Sequence, residues 1–138
     1  MLAQALIAAS AFVVLTLGLI HLLYTFTTNK FSPRDPDLEA RLKIVSPVLT
    51  SQLTMWRAWI GFNASHSLGA ILFGLVYGYL ALAHFSLLVM PGFLSVLGLI
   101  CLLSYLVLAK LYWFSSPFRG VALALALYVA GLILGRGW

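Results

Sequence analysis

Two histidines lie inside long uncharged runs, and they are the residues of this chain best suited to chemistry. His21 falls in the run from Met1 to Asn29 and His66 in the run from Ala58 to Ala109, neither of which holds an Asp, Glu, Lys or Arg. An ionisable side chain at membrane depth is expensive, so it needs a partner or a task. His21 stands nine residues before Lys30, and His66 nine residues after Arg57. At 1.5 Å per residue each ring lies roughly 13 Å along its helix from the same boundary. Two sequential antiparallel helices would therefore carry both imidazoles at one depth. Asn63 lies one turn from His66, Ser67 adjoins it, and Thr25 lies one turn from His21.

His21, Asn63 and His66 are thus the candidate binding residues. A matched histidine pair on two helices can hold haem iron axially. A single histidine can ligate a pigment metal or hydrogen-bond a quinone carbonyl, and a polar lipid group is a further ligand for such a cluster. The competing role, and the favoured one, is structural: an interhelical hydrogen bond, often worth about 1 kcal/mol or less. A zinc site is not expected, because His84 and Cys101 are the other ligands of the right type and fall on or beyond the far half.

The chain that must position these groups has 138 residues, 63% hydrophobic and 8% charged, with mean hydropathy +1.08. A soluble domain carries about a quarter charged residues, so lipid must cover most of this surface. The basic residues gather at the ends of the apolar runs, which argues for topology signals and against a nucleic-acid face.

The uncharged runs predict four spans, at about 2–28, 59–83, 92–112 and 118–136. The long run is divided at His84 and Met90-Pro91-Gly92, since proline and glycine punctuate helices. The first span lacks a basic leader and exceeds a usual signal-peptide core, so it reads as permanent. The expected fold is all-α: one domain over 1–138, a membrane-embedded four-helix bundle, up-down-up-down. Lys30, Arg34, Arg41, Lys43 and Arg57 mark the loop 29–58 as cytoplasmic, with Lys110 and Arg119 on the same side. Both termini then lie on the non-cytoplasmic side. Within the loop, 37–43 has acids before bases and Leu38 and Leu42 four apart. That predicts a short amphipathic helix on the membrane surface.

Helices in lipid associate through small residues and polar contacts. Ala70, Gly74 and Gly78 recur every four residues on the second span, and Ala122, Ala126 and Ala130 on the fourth, followed by Gly131 and Gly135. These rows are the expected interfaces, within the chain or with a partner. On the first span Gln4, Ile7, Ala11, Val14, Gly18, His21 and Thr25 form one seam that should face protein. Trp56, Arg57, Trp59 and Trp113 are expected to anchor one membrane face. Trp138 should anchor the other, and Arg119 and Arg136 should snorkel from the ends of the fourth span.

Absences narrow the function classes. No acid lies inside a predicted span, as a proton-coupled antiporter would require. No phosphate loop, cysteine pair or metalloprotease motif occurs, and no acid is placed to orient a histidine in a hydrolytic triad. The expectation is a non-catalytic integral membrane protein, an accessory or structural subunit of a larger membrane complex. Its partners would be the lipid bilayer and other membrane subunits, or a second copy of itself. The alternative is an intramembrane binding protein for haem, pigment, quinone or lipid built on His21, His66 and Asn63.

The densest motif is Trp56-Arg57-Ala58-Trp59 followed by Gly61-Phe62-Asn63-Ala64-Ser65-His66-Ser67-Leu68-Gly69. This block, running on to Leu80, resembles a group of small bacterial four-helix membrane proteins to which no activity is assigned. The resemblance covers about a quarter of the chain. It implies a four-span protein of the bacterial inner membrane and transfers no functional residue.

Overall fold

A computed structural model describes residues 1–90 and 92–136, the side chain of Arg136 excepted. Most of the described residues are helical, with no strand among them. Six helices follow one another: α1 (Leu2–Thr27), α2 (Pro36–Leu42), α3 (Met55–Ala83), α4 (Phe85–Val89), α5 (Phe93–Tyr112) and α6 (Ser115–Arg136). Among the described residues α1, α3, α5 and α6 are long and apolar enough to cross a membrane. At 1.5 Å rise, α1 and α3 reach about 39 and 43 Å, more than the roughly 30 Å of a hydrocarbon core.

Two helix starts differ by more than one residue from the sequence reading. The second spanning helix begins at Met55, four residues before the expected Trp59. Thr54 explains this: its hydroxyl accepts from the Arg57 backbone N–H at 3.3 Å and satisfies a donor of the first turn. The fourth begins at Ser115, ahead of the expected 118. Pro117 falls in its first turn, where the missing N–H costs nothing. The break at Met90-Pro91-Gly92 holds at Met90 and Gly92, between α4 and α5. Pro91 lies outside the described residues, as do the Trp138 anchor and the snorkelling of Arg136.

The chain divides into two compact units, Gly18–Gly69 and Met1–Leu17 with Ala70–Trp138. In the second of these, α5 packs on α6 and α4 on both. Ile7, Ala11, Val14, Phe73, Tyr77, Leu102, Ala124 and Tyr128 form its core. Close approach comes from glycine. A Cβ built on Gly74 would stand 2.5 Å from Leu15 Cβ and 2.9 Å from the Ala11 carbonyl oxygen. One on Gly131 would stand 2.5 Å from Ile7 Cγ1 and 2.9 Å from the Ala3 carbonyl oxygen. Hydroxyls complete the packing. Ser10 donates to the Ala124 carbonyl at 2.7 Å, Tyr77 to that of Leu94 at 2.8 Å and Tyr128 to that of Ser95 at 3.2 Å.

The small-residue rows behave unequally. Ala70 and Gly74 are buried and Gly78 is half-buried. On α6 the buried positions are Val121, Ala124, Tyr128, Gly131 and Leu132, whereas Ala122 and Ala130 are half-buried and Ala126 is exposed. The face of α6 packed within the chain is thus not the one carrying Ala122, Ala126 and Ala130.

Candidate functional site

The unit Gly18–Gly69 contains the last turns of α1, the first turns of α3 and the segment joining them. Its ends are pinned by local chemistry. Thr25, Thr27 and Thr28 each return a hydroxyl to the carbonyl four residues earlier, which satisfies the side chains inside an apolar helix. Asp35 caps α2 by accepting from the Asp37 and Leu38 backbone N–H groups. Lys43 pairs with Glu39 at 2.6 Å, one turn apart.

His21, Asn63 and His66 come together in this unit. Nε2 of His21 lies 3.0 Å from Oδ1 of Asn63. The Asn63 amide is turned by its own bond, Nδ2 donating to the Trp59 carbonyl at 2.8 Å. With its nitrogen so committed, the amide presents oxygen to the imidazole, and Nε2 of His21 is the donor. Ser67 donates to the Asn63 carbonyl at 2.9 Å. The rings of His21 and His66 meet edge to face, centroids 5.3 Å apart. The equal spacing of the two histidines from their flanking cations places them at one level, as the rise of two antiparallel helices requires.

Two participants were not legible in the sequence as site residues. Phe31 lies in the connecting segment, and its ring stands 4.4 Å from that of His21. Trp59, expected only as an interfacial anchor, also donates its indole N–H to the Phe31 carbonyl at 3.0 Å. Trp59 therefore holds Phe31 through one hydrogen bond and Asn63 through another. The only sequence signal for this was the density of polar and aromatic residues from Trp56 to Ser67. Trp56 and Arg57 stay at the outer end, with the Lys43 ammonium 5.3 Å from the centroid of the Trp56 ring. Trp113, in the other unit, lies 6.1 Å from the Tyr105 ring, centroid to centroid.

An iron held between two imidazoles needs a nitrogen lone pair from each, aimed from opposite faces of the macrocycle. Here the rings touch edge to face and His21 Nε2 is committed to Asn63, so the arrangement does not fit a bis-histidine haem. No group of three or more His, Cys, Asp or Glu able to hold a metal ion occurs among the described residues. The cluster can fix two helices and a loop, and it can offer a polar patch to a hydrogen-bonding group.

Comparisons with protein-family models, with curated proteins and with solved structures find no match.

Proposed function

We propose that this chain is a non-catalytic integral membrane protein, an accessory or structural subunit of a larger assembly in the bacterial inner membrane. One observation carries the reading: the side chains of His21, Asn63 and Ser67 are spent on one another and on backbone. His21 is held by Asn63, Asn63 by Trp59, and Ser67 by Asn63. Among the described residues no buried side-chain nitrogen or oxygen lacks a partner. A catalytic site keeps reactive groups aimed at substrate, whereas this cluster closes on itself. The resemblance of the Trp56–Leu80 stretch to small four-helix bacterial proteins bears on the inner-membrane location alone and implies no activity.

A second reading rests on the edge contact of His21 and His66. Two imidazoles at one level offer a hydrogen-bonding patch for a quinone carbonyl, a polar lipid group or a single-histidine pigment. Gentle purification from the native membrane, with an absorption spectrum and a mass-spectrometric inventory, separates the two. Co-purifying subunits, with no cofactor or defined lipid that depends on His66, are expected for the accessory subunit. A pigment band, quinone or defined lipid lost in His66→Ala would favour the binding protein instead. A stable, monodisperse protomer with neither would overturn the accessory reading.

A further inference from the structure

The segment between α1 and α3 carries its most exposed large apolar side chains at a turn tip. The Thr50 backbone N–H donates to the Pro47 carbonyl at 3.2 Å, which closes a turn with Val48 and Leu49 at its centre. Val48 is 109% and Leu49 93% exposed. Turns that face water favour Gly, Asn, Asp and Ser at such positions. The Met55 backbone N–H donates to the Val45 carbonyl at 2.8 Å, so the loop 45–55 is tied at its base to the first residue of α3. Ile44, just before that base, is exposed as well.

Charge surrounds this tip unevenly. Lys30, Arg34, Arg41, Lys43 and Arg57 face three acids, Asp35, Asp37 and Glu39. Two of the acids are committed, Asp35 to the α2 cap and Glu39 to Lys43. Arg34, Arg41 and Arg57 are exposed and form no ion pair among the described residues. Because α1 and α3 are membrane-spanning in length and composition, the segment joining them leaves and re-enters the bilayer at one surface.

We infer that the Pro47–Thr50 turn dips into the headgroup region of that surface, and that Arg34, Arg41 and Arg57 hold the phosphates of anionic lipids around it. Apolar side chains at a turn tip gain by entering the acyl boundary, and guanidiniums beside them match anionic headgroups. The occupant is the bilayer that the flanking helices already cross, and the inference does not depend on either functional reading.

The test uses the full chain with Cys101→Ser, reconstituted in phosphatidylcholine vesicles with and without phosphatidylglycerol. A spin label is placed in turn at Val48→Cys, Leu49→Cys, Gln52→Cys and, as a mid-span control, Leu72→Cys. Collision with oxygen is expected to exceed collision with a water-soluble nickel chelate at 48, 49 and 72, and the reverse at 52. Association of spin-labelled phosphatidylglycerol relative to phosphatidylcholine is expected to fall by up to about fivefold for each charge removed in Arg34→Gln and Arg41→Gln. Nickel-dominated collision at both 48 and 49, with 72 still apolar, would overturn the insertion. Unchanged headgroup preference in the arginine variants would overturn the lipid assignment. Two labelled tip positions keep the test standing if one substitution disturbs the loop.

Discussion

A single amide orients the histidine cluster. Asn63 accepts from His21 through oxygen and donates to Trp59 through nitrogen, so one side chain joins α1 to the first turns of α3. Replacing it by leucine keeps the volume and strands the imidazole N–H in an apolar setting. Asn63→Leu is expected to destabilise the fold by about 1 to 2 kcal/mol. A cycle with His21→Phe should recover a coupling of about 0.6 kcal/mol, and no more than about 1.7. Reversible unfolding in mixed micelles measures both, and additive single effects would show that the pair is incidental. At this scale the histidines and Asn63 could be found from the sequence, because helix rise fixes depth. Phe31 could not, since a residue beyond a span end has no periodicity to place it. Ser10, fully buried with its hydroxyl on the Ala124 carbonyl, was missed for another reason. It lies one position off the seam read on the first span.

Helix faces were legible where polarity and size agreed, and ambiguous where only size spoke. The seam of α1 combines both, and the structure buries Ile7, Ala11, Val14, Gly18 and Thr25, with Gln4 and His21 half-buried. On α6 two rows of small residues compete. Tyr128 goes inward because its hydroxyl reaches the Ser95 carbonyl, taking Ala124 and Gly131 with it. Glycine spacing alone does not measure approach either, as Gly74 and Gly78 show. Gly74→Ala would push Cβ against Leu15 backbone and the Ala11 carbonyl, and should cost about 1 to 3 kcal/mol. At Gly78 the nearest atom is Ala11 Cβ at 3.7 Å, and at Gly61 nothing lies within 4 Å. Gly78→Ala and Gly61→Ala should therefore be neutral or stabilising by up to about 1 kcal/mol through helix propensity. Thermal aggregation midpoints of the three variants in one detergent rank them. Equal loss at 74 and 78 would mean the close approach is not at Gly74. In the loop, Asp35→Ala removes the cap of a seven-residue helix that buries no side chain. That helix should fray by about 1 kcal/mol, seen as faster amide exchange over 37–42 while the spans stay protected.

For the whole molecule, the question is which surface of the bilayer each connection meets. Length and apolar runs make four spans legible, and orientation follows from the placement of charge. The segment after α1 holds Lys30, Arg34, Arg41 and Lys43, with Arg57 in the first turn of α3. Lys110 and Arg119 flank the α5–α6 connection. The α3–α5 connection, with exposed His84 and Ser86, has no Lys or Arg. Retaining Lys and Arg in the cytoplasm predicts the first and last of these connections inside and the middle one outside. In Cys101→Ser, an impermeant thiol reagent should label Ser86→Cys in cells with a permeabilised outer membrane and an intact inner membrane. It should reach Gln52→Cys only after the inner membrane is opened. The converse pattern would invert the topology and turn the arginine-flanked turn at Val48 and Leu49 toward the outer leaflet. Labelling of both from outside would mean that α3, the helix between them, does not cross. The two cysteines thus test the crossing of α3 and the charge rule in one experiment.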